Sequence, residues 1–220
     1  MVCTAEYDGR ELTVARTIRD RVSAEVEIKR SRFVAVVDRA ETEVQAREII
    51  RGTRSAGPGA RHYCSAFILG DNRQVERSND DGEPSGTAGA PMLEVLRGRD
   101  LTNVVAVVTR YFGGIKLGTG GLARAYADAV GAALGGARLL QREKREILRV
   151  EFDLADVGRI ESELRHRGIV IVSVEYATRA AVTLAAKDPD SVDGLLASLT
   201  AGIAAPERMG SVFVEVPART

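Results

Sequence analysis

The sequence predicts an α+β protein of two domains, and three observations carry that prediction. A continuous apolar run, Val104 to Val108, leads through five glycines into a segment where Leu122, Tyr126, Ala129, Val130 and Leu134 recur at helical spacing. The pattern changes after Gly135-Gly136. Beyond it the segments follow the order β-α-β-β-α-β, the split βαβ of a ferredoxin-like sandwich. At 220 residues the chain is long enough for two modest domains. The expected boundaries are 1–138 and 145–220, with 139–144 as a linker because it is charged and lacks apolar patterning.

Taken in order, Val26 and Ile28 alternate before a turn at Lys29-Arg30-Ser31, and Phe33 to Val37 form a second strand. Thr42 is a candidate N-cap for a helix with Val44, Ala46, Ile49 and Ile50 on its apolar face, ended by Gly57-Pro58-Gly59. Tyr63 to Leu69 is a strand closed by the turn Gly70-Asp71-Asn72, and Pro91 suits the first turn of a helix through Met92, Leu93, Val95 and Leu96. The strand at 104–111, the glycine loop and a helix from about Leu122 follow. In the second domain the expected elements are a strand at 146–154 and a helix capped by Asp156 and ended by Gly168. Strands at 169–176 and 180–185, a helix from Asp190 or Ser191 and a last strand at 211–216 complete it.

Composition narrows the function classes. Hydrophobic residues make up 45% and charged residues 28%, which is ordinary globular usage. No apolar run approaches the roughly 20 residues a bilayer span needs, and MVCTAEYDGREL does not resemble a secretory signal. Cys3 and Cys64 make no disulfide framework and suit a reducing cytoplasm, so a cytoplasmic location without membrane contact is expected. The net charge is zero: residues 1–140 hold 20 Lys and Arg against 18 Asp and Glu, and residues 141–220 hold 11 against 13. That balance argues against tight non-specific binding of nucleic acid. Three local basic groups stand out, at Arg16, Arg19 and Arg21, at Lys29, Arg30 and Arg32, and at Arg142, Lys144 and Arg145.

The glycine loop is the first candidate for chemistry. Gly113, Gly114, Gly118, Gly120 and Gly121 feed a helix N-terminus, where free N–H groups and the helix dipole favour an anion. Arg110, Lys116 and Arg124 bracket it with positive charge. The loop is not a P-loop, and its loose G-x-G-x-x-A has Arg138 where a dinucleotide fold would place an acid. The same glycines also suit close helix–sheet packing. The second candidate is Asp80-Asp81-Gly82-Glu83-Pro84-Ser85-Gly86-Thr87, whose three carboxylates repel unless a cation lies among them. Asp81 and Glu83 could hold magnesium beside a phosphate, or the acids could pair with Arg110, Lys116 or Arg124. A plain turn with Ser85 or Thr87 capping the next helix is the third reading. His62 and Cys64 share a strand face, but Cys64 sits in an apolar strand and the other histidine, His166, falls in the second domain. Ser85 lacks a nucleophile elbow, and the second domain's central strands offer only Tyr176 for base stacking.

Arg110 to Tyr126 (RYFGGIKLGTGGLARAY), Asn79 to Leu96 (NDDGEPSGTAGAPMLEVL) and Lys29 to Ala35 (KRSRFVA) resemble three motifs of the IMPACT/YigZ family and stand in that family's order. The resemblance covers about residues 20–136, and the tail resembles the second domain of the bacterial YigZ-type members. It implies a first domain similar to a βαβ sandwich of a small-subunit ribosomal protein and a second similar to the C-terminal domain of elongation factor G. Both likenesses point toward translation. Eukaryotic relatives regulate translation by binding a partner that activates a starvation-response kinase. They do so with an added N-terminal domain, whereas this chain begins about 20 residues before the shared one, so that role is not carried over. The expectation is a non-enzymatic binding protein linked to translation or stress response, with no cofactor. Its partner would be RNA, a ribosomal component or a translation-related protein. The expected surface combines Arg110, Tyr111, Gly113, Gly114, Lys116, Gly118, Thr119, Gly120, Gly121 and Arg124 with Asp80, Asp81, Glu83, Ser85 and Thr87. The alternatives are a magnesium-dependent enzyme on a phosphorylated small molecule or nucleotide, and a protein-interaction adaptor.

Overall fold

The computed structural model describes residues 15–218. The amino-terminal segment read for signal character, with Cys3, lies outside the described residues. The described residues divide into two compact units, 15–142 with 216–218, and 143–215.

The first unit is built on an antiparallel five-stranded sheet in the order β2-β3-β6-β4-β5. Its strands are β2 (Val22–Ile28), β3 (Ser31–Arg39), β4 (His62–Leu69), β5 (Val75–Asn79) and β6 (Val104–Tyr111). β6 is central and buried from Val104 to Arg110, which explains its unbroken apolar run: both of its faces are covered. Val104, Ala106 and Val108 face α2 (Gly89–Gly98) and α3 (Thr119–Gly135), while Val105 and Val107 face α1 (Glu43–Ala56). Three layers result, with the larger core between the sheet and the α2–α3 pair, where Phe33, Met92, Leu96, Tyr126 and Leu134 are fully buried.

α1 begins at the N-cap expected at Thr42, which the structure extends to a capping box. Gln45 N donates to Thr42 Oγ1 at 3.2 Å, and the Gln45 side chain accepts from the Thr42 amide. Two short strands were not expected. β5 is polar because it is the sheet's edge, and β1 (Arg16–Ile18) pairs with Leu139–Gln141. Residues 139–144, expected as a linker, are part of β7 (Leu139–Phe152), which pairs with β1 at Leu139–Gln141 and also with a later strand of the chain. α2 starts at Gly89 and α3 at Thr119, each earlier than expected.

The second unit follows the order β7, α4 (Val157–His166), β8 (Val170–Tyr176), β9 (Ala180–Ala186), α5 (Pro189–Leu199), β10 (Glu207–Pro217). β8 and β7 flank β9, and β10 pairs with β7, so the strand order is that of a ferredoxin-like sandwich. Its core joins Leu148, Val150 and Phe152 to Ile160, Leu164 and Leu196. α5 begins just ahead of expectation: Asp188 accepts from Ser191 N at 3.2 Å, and Pro189 occupies the first helical turn. No described helix is long and apolar enough to cross a membrane.

Candidate functional site

All three sequence motifs meet at one end of the first unit's sheet. The register places Arg110 opposite Phe33 on one side and His62 on the other, so the end of β6 lies between the starts of β3 and β4. Three connections converge there: the turn at Lys29-Arg30, the loop 80–88 and the loop 112–118.

The loop 80–88 turns its acids inward. Asp80 accepts from the amides of Gly86 at 2.8 Å, Ala88 at 3.0 Å and Gly89 at 2.8 Å, capping α2 from outside the helix. Burial alone would raise the Asp80 carboxyl, but the amides of Gly86, Gly89 and Ala88 outweigh it and hold the group below its usual value. Asp81, with φ of 42°, takes Arg54 Nη2 on Oδ1 at 2.6 Å and Tyr63 N on Oδ2 at 2.7 Å. Glu83 enters the core, its side chain only 3% exposed. There Oε1 accepts from Arg110 Nη1 at 2.6 Å and from the Tyr126 hydroxyl at 2.7 Å. Thr87 is buried and donates to Pro84 O at 2.6 Å, while Ser85 is exposed.

Arg110 is thus a buried group of the fold. Its guanidinium lies 5.5 Å from the ring centroids of both Phe33 and Phe112. Its Nε has no acceptor, and the two aromatic faces provide the compensation. Phe33 meets Tyr126 edge to face at 5.2 Å. Burial pushes the Tyr126 phenol well above its ordinary range, so it stays protonated as the donor to Glu83. Cys64 donates to Asp80 O at 3.0 Å, and burial, aided by the carboxylates nearby, pushes its thiol up to about 12. A thiol held in that state is no nucleophile at neutral pH. His62 Nδ1 contacts Asp81 O at 2.9 Å, a backbone tie that fixes its ring.

The glycine loop has the opposite character. Gly113 donates to Ser31 Oγ at 3.2 Å and presses on the Lys29-Arg30 turn so closely that a Cβ would stand 1.9 Å from Arg30 O. Past that point the loop opens. Gly118, with φ of 75°, precedes α3 and offers no side chain as a cap. Leu122 N bonds Gly118 O, leaving the amides of Thr119, Gly120 and Gly121 without an acceptor among the described residues. Lys29, Arg30, Lys116 and Arg124 are exposed and have no carboxylate partner among the described residues. Phe112 is 48% exposed and Ile115 is exposed beside it. Tyr111 is partly covered, with Arg32 4.7 Å above its ring.

The expected surface therefore divides. Lys116, Gly118, Thr119, Gly120 and Arg124 are exposed and Gly121 is half-buried. Arg110, Asp80, Asp81, Glu83 and Thr87 are occupied inside the fold. Asp81 and Glu83 do not fit a magnesium site, because both Asp81 oxygens and Glu83 Oε1 already accept protein donors. Among the described residues no group of three His, Cys, Asp or Glu is arranged to hold a metal. Residue typing alone missed Tyr126, which sits in an apolar helical stripe, and the exposed Phe112. A hydroxyl on a core-facing stripe is the signal that marks the former.

Replacing Asp80 with alanine is expected to destabilise the first unit by about 1–2 kcal/mol, the cost of losing a helix cap. Because the folded carboxyl is held below the ordinary value of 3.8, the stabilisation is complete above that pH and is lost as pH falls through the lower folded value. Urea midpoints of wild type and variant should accordingly converge in acid.

Residues 29–134 match the family described as the Impact N-terminal domain, and residues 150–202 match a domain of unknown function, DUF1949. IMPACT family member YvyE of Bacillus subtilis is 43% identical over 161 residues, 73% of this chain and 74% of that protein. IMPACT family member YigZ of Escherichia coli is 46% identical over 110 residues, 49% of this chain and 54% of that protein. A crystal structure of an hypothetical protein aligns with a TM-score of 0.59 at 31% identity, covering 87% of this chain and 95% of the other.

Proposed function

The chain belongs to the IMPACT family, and from that premise we propose that it is a non-enzymatic cytoplasmic protein that binds RNA, in a role connected with translation, through the glycine-loop end of its first unit. One observation carries the reading: at this end the carboxylates of the loop 80–88 are occupied by the fold's own donors, while the amides of Thr119 to Gly121 and the nearby cations are not. The free N–H groups of Thr119 to Gly121 suit a phosphate oxygen, and the helix dipole adds to their attraction. Lys29, Arg30, Lys116 and Arg124 supply charge for neighbouring phosphates. Phe112, 48% exposed although Arg110 lies 5.5 Å from its ring centroid, offers a ring on which a base can stack, and Tyr111 is the more covered of the two. The chain's neutral balance is compatible with this, because affinity would come from a short local patch and would be modest and salt-dependent.

Fluorescence anisotropy with a labelled decauridylate tests the proposal. Wild type is expected to bind at low salt. Lys116→Ala with Arg124→Ala should weaken binding at least tenfold. The slope of log affinity against log salt should flatten by about 0.7 for each phosphate that the variant no longer neutralises. Phe112→Ser should cost about 1–3 kcal/mol of binding. Equal binding by all three proteins, or none by wild type, rejects the RNA reading.

A further inference from the structure

The sheet face that carries α1 holds a groove of about 690 Å³ that plays no part in the reading above. α1 packs on β4 and β6 through Ala46, Phe67, Val105 and Val107, while β5 forms the free edge of the sheet. Four arginines line the space between them: Arg47, Arg51 and Arg54 along one stripe of α1, and Arg77 on β5. A rise of 1.5 Å per residue spaces the three helical arginines by about 6 and 4.5 Å along the axis. Arg47 bonds Glu43 at 3.2 Å and Arg54 bonds Asp81 at 2.6 Å, so carboxylates already satisfy half of the set. Arg51 and Arg77 are exposed and have no carboxylate partner among the described residues.

We infer that this groove receives an acidic, extended segment of a partner protein, laid along β5 with its carboxylates on Arg51 and Arg77. Two features select that occupant. An edge strand such as β5 presents unpaired backbone groups, the template for strand addition. Arginine forks hold carboxylates with two parallel hydrogen bonds. A single-stranded nucleic acid is less well matched, since the one aromatic of the lining, Phe67, is buried in the floor and leaves no ring for stacking.

The test uses the full chain and two labelled probes, a ten-residue peptide alternating glutamate and threonine, and decauridylate. The peptide is expected to bind, and Arg51→Glu with Arg77→Glu should weaken it at least tenfold while leaving the unfolding midpoint unchanged, both side chains being exposed. The loop variant at Lys116 and Arg124 should bind the peptide as wild type does. Equal peptide binding by the groove variant overturns the inference, as does its absence in wild type. Loss of decauridylate binding in the groove variant also overturns it, by assigning the groove to nucleic acid. Failure of the loop reading registers separately, as decauridylate binding that is indifferent to Lys116 and Arg124.

Discussion

Glu83→Ala is expected to destabilise the first unit by about 3–5 kcal/mol, a large share of the roughly 5–15 kcal/mol that holds a typical domain together. The reason lies in what it leaves behind. Arg110, with 8% of its side chain exposed, would keep its charge in the core without its carboxylate, and the Tyr126 hydroxyl would lose its acceptor. Exposed pairs such as Arg138 with Asp20 contribute only about 0–1 kcal/mol, so the effect belongs to burial and not to ion pairing as such. Glu83→Gln, which keeps an acceptor of similar size, should cost about 1–3 kcal/mol. Arg110→Met combined with Glu83→Leu should recover much of the loss, because a buried pair replaced as a whole by apolar side chains is often nearly neutral. Urea unfolding of the four proteins checks the series. A double variant no more stable than Glu83→Ala would show that the unpaired charge of Arg110 is not the source of the loss. Glu83→Ala should also weaken RNA binding without touching the ligand, since Glu83 ties the loop 80–88 to the strand and helix that border the glycine loop.

The register of β6 shows how much of this was legible beforehand. Val104 to Val108 announced a buried strand, and Thr42 announced the start of α1, because each depends on local chemistry alone. Polar, short β5 and β1 carry no such pattern, since an edge strand needs only one neighbour. The three motifs do converge in space, but their charges suggested an outward surface that Arg110 and Glu83 do not join. The parity of β6 contained the answer: Arg110 follows Val104, Ala106 and Val108 on the face that packs against α2 and α3. Pairing of the 80–83 acids with Arg110, Lys116 or Arg124 was one of the readings open from the sequence, and Glu83 takes Arg110; which acid would do so was not deducible, because the loop's path is set by Asp80 and two left-handed glycines, Gly82 and Gly86. The stripe of Arg47, Arg51 and Arg54 was present in the sequence at helical spacing, yet only β5, placed by long-range pairing, turns it into one wall of a groove.

Gly113→Ala is expected to be the most damaging single-methyl change in the glycine loop, costing about 3 kcal/mol or more. The new Cβ would lie 1.9 Å from Arg30 O, 2.0 Å from Arg30 C and 2.5 Å from Ser31 N. These are backbone atoms of a tight turn in which Lys29 and Arg30 already hold φ of 47° and 65°, so neither side can yield cheaply. Two neighbouring glycines give the contrast that isolates the cause. Gly114 has φ of 87° and open space around it, so Gly114→Ala should cost only the left-handed penalty of about 1–2 kcal/mol. Gly120 lies in the first turn of α3 with nothing within 4 Å, and Gly120→Ala should stabilise the protein by up to about 1 kcal/mol through helix propensity. Thermal unfolding of the three variants should therefore rank Gly120→Ala above wild type, then Gly114→Ala, then Gly113→Ala. If Gly113→Ala melts no lower than Gly114→Ala, close approach to the β2–β3 turn is not what requires glycine there. The loop that carries Phe112 and Lys116 would then owe its position to the Arg110 and Ser31 contacts alone.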